Sequence, residues 1–207
     1  MTRPNRIPLF PLDVVLFPTM PLPLHVFEPR YKVMIGRCIE EPIEFGIVLA
    51  TKEAVASVGC TARIVRKVKD YSDGRMDILT EGSSIFRLTE ILDEREYHEG
   101  VIEYLEDEAS PPDPHRETKL LELFECCHLL LFGTNWEDAA RGDTVNLAYR
   151  MASRLPIDLQ DRQALLEMRS EKDRREFLER WMADFKPKFT QRQQARQRAG
   201  SNGHGGD

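Results

Sequence analysis

The 207-residue chain predicts an α+β fold: a β pseudo-barrel with one inserted helix, followed by a C-terminal helical bundle. Three observations predict it. Between residues 45 and 106, short runs rich in Val, Ile and Thr alternate imperfectly with polar residues, as half-buried strands do. Beyond residue 114 the apolar spacing becomes helical. Between these regimes, residues 93–113 carry nine acids against Arg95 alone and end among Pro111, Pro112 and Pro114, a solvated and donor-poor boundary. This reading gives a β-rich subdomain at 1–110, a helical subdomain of about four helices at 115–186 and a disordered basic tail at 187–207.

The first element is irregular. Eight of the thirteen prolines fall within the first 42 residues, so IPLFPLDVVLFPTMPLPLHVFEP is expected as extended chain with strands confined to edges and short pieces. A helix follows from Pro29, where proline at the first helical position costs no hydrogen bond, through Tyr31, Met34 and Ile35 to Ile39. Strands are then predicted at 45–50, 58–68, 75–80, 84–92 and 100–106, with turns at Ser72-Asp73-Gly74 and Glu81-Gly82-Ser83. Five or six short strands favour closure into a barrel, which protects their edges. In the helical part, Leu120, Phe124 and Cys127 mark one helix stopped at Gly133. Val145 to Leu155 mark a second, ended by Pro156. Asp158 caps a third, and Ser170 with Asp173 opens a fourth on Phe177, Leu178, Trp181 and Met182.

Composition bounds the function. The net charge is −6, with 29 basic and 35 acidic residues. No stretch approaches eighteen consecutive apolar residues and no secretory h-region follows the N-terminus, so a cytoplasmic protein without a membrane span is expected. Cys38 and Cys60 stand alone and Cys126 and Cys127 are adjacent, with no C-x-x-C, which argues against a disulfide framework and structural zinc. Neither cofactor nor metal is expected.

The segments IPLFPLDVVLFPTMPLPLHVFEPRY (7–31), FGIVL (45–49), VGCTARIV (58–65), DGRMDILTEGSSIFRL (73–88) and LPIDLQDRQALLEMRSEKDRREFL (155–178) together resemble the N-terminal substrate-binding domain of Lon proteases. The resemblance is strongest to short bacterial proteins carrying this domain alone, and extends more distantly to the Lon-like domain of cereblon. It implies a PUA-like β pseudo-barrel followed by helices. It also implies a non-enzymatic module that binds unfolded or exposed hydrophobic polypeptide segments in protein quality control, beside a separate protease or chaperone. The chain contains no Gly-Lys dipeptide and hence no Walker A loop, and the Ser-Lys peptidase module of Lon has no counterpart.

Candidate binding residues lie in the proline-bounded loop 14–24, whose chain is held extended at low entropy cost. Val15, Phe17, Met20 and Leu22 are the candidates, with Phe17 and Met20 expected to be the most exposed; packing beneath the barrel is the competing role. An exposed loop of this kind also offers a surface for a homodimer. His25 with Glu28 would be the base and orienter of a catalytic pair, but no nucleophile stands at a defined spacing, and no catalytic residue is assigned. Arg30 is expected to pair with an acid across the barrel. Cys126, Cys127 and His128 diverge by about 100° per residue on a helix and cannot converge on a metal without further ligands. The alternative function is RNA binding by the PUA-like barrel. It would use Arg63, Lys67 and Lys69, placed on one strand face by period two with Arg66 opposite, although the acidic balance disfavours nucleic acid.

Overall fold

The computed structural model describes residues 3–52, 54–108, 113–136 and 146–185. The expected tail at 187–207, and Val145, lie outside the described residues. Among the described residues, six strands and five helices run in the order β1 (Arg6–Leu12), β2 (Pro21–Val26), α1 (Pro29–Glu40), β3 (Phe45–Ala50), β4 (Val55–Asp70), β5 (Met76–Leu92), β6 (Glu99–Tyr104), α2 (Pro114–Phe132), α3 (Leu147–Arg154), α4 (Leu159–Glu167) and α5 (171–185). The α+β class is as expected.

The sheet order is β2-β5-β4-β3-β1-β6, and β5 also pairs with β6, so five strands form a closed ring with β2 as an extra edge strand. Closure depends on the length of β5. Its first half pairs with β2, from Met76 opposite Val26 to Glu81 opposite Pro21. Its second half pairs with β6, from Phe86 opposite Tyr104 to Leu92 opposite Glu99. The sequence suggests two strands separated by a turn at Glu81-Gly82-Ser83, and the structure corrects this to one 17-residue strand. A second correction concerns β1, which lies between β3 and β6 despite Pro8 and Pro11. Its first three residues pair with β6 and its last four with β3, so each stretch needs ladder bonds on one side only, and proline is tolerated.

Inside the ring, Ile7, Leu9, Val48, Phe86 and Ile102 form a buried cluster. Helix α1 is anchored by Phe10, whose ring stacks on Tyr31 at 4.1 Å, and by Arg37, which donates to the buried Glu99 at 3.2 Å and to the Tyr97 hydroxyl at 3.1 Å.

The described residues fall into two compact units: those within 1–109 and 144–171, and those within 110–143 and 172–207. This differs from the boundary read at 110–115, because α3 and α4 belong with the barrel. Gln163 of α4 donates to the Val58 carbonyl at 3.1 Å, and the Tyr149 ring of α3 lies 5.1 Å from that of Phe17 in the loop after β1. The Asp158 carboxylate caps α4 by accepting from the Asp161 N–H at 2.9 Å. Asp158→Ala is expected to cost about 1 kcal/mol, read as a lower urea midpoint. An unchanged midpoint would show that the cap is dispensable.

In the second unit, α2 starts on the Asp113 cap and stops at Gly133, which takes φ 72°. Its buried Leu120, Phe124 and Cys127 follow helical spacing. Arg116 bonds Glu176 at 2.7 Å and Glu179 at 3.0 Å, and Arg175 bonds Glu117 at 3.0 Å, so ion pairs join α2 to α5.

Candidate functional site

The loop between β1 and β2 is turned by Thr19, a non-glycine residue at φ 63°. Three backbone hydrogen bonds hold it: Thr19 N–H to the Gly82 carbonyl at 2.9 Å, Met20 N–H to Phe17 at 3.1 Å and Gly82 N–H to Met20 at 3.0 Å. The strap so formed folds Val15, Leu16 and Phe17 inward. Phe17 is fully buried, with its ring 5.1 Å from that of Tyr149 and the Arg162 guanidinium 5.5 Å above it. The expectation that Phe17 is exposed is therefore corrected: an aromatic ring beside helix α3 gains more from packing than from water. Val15 is likewise buried, whereas Met20 and Leu22 remain half-buried.

Edge strand β2 continues from this loop. Pro21, Pro23 and His25 are exposed while Leu22 and Leu24 are half-buried, the alternation of a strand with one wet face. The two prolines remove donors from the free edge and blunt it against strand addition.

At the end of β2 lies a cluster that sequence reasoning missed. The Asp77 carboxylate of β5 takes His25 Nδ1 on one oxygen at 2.5 Å and the Tyr71 hydroxyl on the other at 2.9 Å. Those hydrogen bonds, that of His25 first, hold the Asp77 carboxyl below the usual carboxylate range. Phe27 lies roughly parallel to the His25 ring at 5.9 Å and is 58% exposed, the most exposed of the large apolar side chains described. Lys69 Nζ stands 4.4 Å and the Arg75 guanidinium 5.1 Å from the Tyr71 ring centre. Signals existed in the string His25-Val26-Phe27 and in Tyr71, but the separation of 52 positions between His25 and Asp77 hid their meeting.

The two members of the pair weighed above have other partners. His25 pairs with Asp77, while Glu28 pairs with Arg30 at 2.9 Å on its own turn and not across the barrel. Among the described residues no serine, threonine or cysteine hydrogen-bonds to His25. Burial pushes the Cys38 thiol up to about 12 and the Cys60 thiol higher, so neither is a ready nucleophile. Cys127 is buried, and His128 donates from Nδ1 to the Thr134 carbonyl at 3.0 Å. Among the described residues no group of three His, Cys, Asp or Glu side chains is placed to hold a metal ion.

The basic strip is rearranged. Register shifts between Ile64 and Arg66 and between Lys67 and Lys69 leave Val65 and Val68 as extra residues and break the period of two. Arg66 consequently lines the same depression as Arg63 and Lys67, instead of the opposite face, while Lys69 turns to Tyr71. Arg63 bonds Glu81 at 2.7 Å and Lys67 bonds Asp70 at 3.1 Å.

Residues 6–184 match the family model of the ATP-dependent protease La (LON) substrate-binding domain. The chain is 32% identical over 199 residues to the Lon protease of Escherichia coli (strain K12), covering 84% of this chain and 24% of that protein. It is 30% identical over 200 residues to the Lon protease of Erwinia amylovora, again covering 84% of this chain and 24% of the relative. Two solved structures share the fold. One is the Lon N-terminal domain protein from Xanthomonas campestris, with TM-score 0.63, 24% identity and coverage of 86% of this chain and 97% of that one. The other is the N-terminal domain of Mycobacterium avium complex Lon protease, with TM-score 0.61, 15% identity and coverage of 86% and 98%. The chain spans about a quarter of the length of these curated relatives. What is matched is their substrate-binding part, not the protease or ATPase domains.

Proposed function

We propose, on the premise that the chain belongs to the ATP-dependent protease La (LON) substrate-binding domain family, that it is a non-enzymatic recognition module for unfolded polypeptide segments with exposed apolar side chains. The observation that carries this reading is the apolar margin of β2: half-buried Met20, Leu22 and Leu24 along the strand, and Phe27 standing 58% exposed on the His25–Asp77–Tyr71 cluster. A rigid aromatic ring presented at little entropic cost is a strong anchor for a partner. The buried Phe17 and Val15 fix the loop that leads into β2, through the strap at Gly82. In this reading the closed sheet is a PUA-like pseudo-barrel, and the helices after it form the accompanying bundle. Four free thiols, three of them buried, favour a reducing compartment such as the cytoplasm. Among the described residues no helix is long and apolar enough to cross a membrane. A separate protease or chaperone would receive what the module binds.

The test is a polarisation titration with fluorescein-labelled, reduced and carboxymethylated casein. The wild-type protein is expected to bind, and Phe27→Ser combined with Met20→Ser to weaken binding about tenfold, since each removes an apolar contact from the surface and not from the core. Absence of association at about 100 μM protein would overturn the proposal.

A further inference from the structure

Where β3 begins, Phe45 stands opposite Ala62, so from Arg63 to Asp70 strand β4 is paired on one side only, with β5. Between this uncovered edge and the C-terminal end of α1 lies a depression of about 400 Å³, within the range of ligand pockets. Cys38, Ile39, Ile43 and Ile64 make its wall apolar, and Arg63, Arg66 and Lys67 surround it with cations.

The charges are unequal. Glu44 is the one carboxylate lining the depression, and it is engaged by the Thr61 hydroxyl at 2.6 Å. Arg63 and Lys67 have partners in Glu81 and Asp70, both outside the lining. Arg66 has no carboxylate within salt-bridge distance among the described residues. An unpaired guanidinium beside an aliphatic wall fits a carboxylate carried next to an apolar group, because its planar fork receives two oxygens at once. Strand addition is disfavoured along this edge, since the bulges at Val65 and Val68 interrupt the row of donors and acceptors that an added strand would need.

We propose that the depression between α1 and the uncovered edge of β4 is a second polypeptide-binding site, selective for segments in which a carboxylate neighbours an apolar side chain. This rests on the reading of the chain as a polypeptide-recognition module and adds a charge preference that the β2 margin lacks. A peptide fits better than a nucleic acid: no aromatic ring lines the depression to stack a base, and the chain carries a net charge of −6.

The experiment uses the full chain and short fluorescein-labelled leucine-containing peptides whose flanking residues are aspartate, serine or lysine. The aspartate peptide is made with a free and with an amidated C-terminus, to separate side-chain from terminal carboxylates. A labelled oligouridine is titrated in parallel. Binding is expected to follow the order aspartate, serine, lysine, and the preference for aspartate to shrink as salt rises. Arg66→Glu with Lys67→Glu is expected to weaken the aspartate peptide about tenfold and casein by less, since casein keeps the β2 margin, and Arg66→Ala alone to act in the same direction. Both positions are exposed, and an unchanged urea midpoint verifies folding. Equal binding of the three peptides, undiminished binding by the folded variants, or oligouridine displacing the aspartate peptide would each overturn the site. If these peptides fail while casein still binds, the second site falls and the proposed function stands; if casein fails as well, both fall.

Discussion

Replacing Gly82 with alanine is expected to destabilise the protein by about 3 kcal/mol, near the upper end for overpacking. A Cβ at this position would lie 2.0 Å from the Phe17 carbonyl oxygen, 2.9 Å from the Phe17 carbonyl carbon and 3.2 Å from Leu16 Cγ. The first two neighbours are backbone and cannot rotate away. Nor can the loop slide, because Gly82 is bonded to it on both sides, receiving Thr19 N–H at 2.9 Å and donating to Met20 at 3.0 Å. The added methyl group must therefore lift the strap, at a cost of two hydrogen bonds worth about 1 kcal/mol each and the packing of Phe17 on Tyr149. Urea denaturation measures the loss, and limited thermolysin digestion should reveal new cleavage between Val15 and Leu16. A midpoint within about 0.5 kcal/mol of wild type would show that the strap yields without strain.

The same glycine explains why part of the fold was hidden from pattern reading. Glu81-Gly82-Ser83 has the composition of a turn, but glycine is needed here because another segment lies on the strand, which is a tertiary reason with no local signature. Local signals served well where the cause is local. Pro29 opens α1, Asp158 caps α4 and Gly133 stops α2, each through the backbone groups of its own helix. The strand FGIVLA, a short apolar run, is β3 to the residue. Phe17 was misplaced because prolines and apolar residues mark an extended loop equally well whether its side chains face water or the core. Arg66 was misplaced because a bulge adds one residue and moves every later side chain to the other face. Of the candidate surface, Met20 and Leu22 were legible as apolar residues in an edge segment. Phe27 acquires its meaning only when Asp77 and Tyr71 arrive beside His25.

Charge counting concealed a second feature, and its removal should have the largest effect of any single substitution. Glu99 belongs by sequence to the acidic run 93–113 and looks like solvated charge, yet its side chain is only 5% exposed. Three arginines converge on it: Arg6 Nε at 3.0 Å, Arg95 Nε at 3.2 Å and Arg37 Nη1 at 3.2 Å. Because Glu99 pairs with Pro8 of β1 and Leu92 of β5, and Arg37 belongs to α1, this carboxylate joins the barrel seam to the helix. Burial alone would push its carboxyl up, but the hydrogen bonds and charges of Arg6 and Arg95 outweigh burial, and the group is held below its ordinary value. A carboxyl depressed in the folded state contributes its full stability above its unfolded value, near 4.5, and loses it as the pH falls through the lower folded value. Glu99→Gln is expected to cost about 3–5 kcal/mol at neutral pH, since three guanidinium groups are left around a neutral amide. The variant should also show a shallower loss of stability below pH 4.5 than wild type, because the group whose protonation drives that loss is gone. Urea midpoints across an acid series measure both. Equal neutral midpoints, or parallel acid limbs, would mean that Arg6 and Arg37 are satisfied by Glu94 and Glu41 and that the seam holds without Glu99.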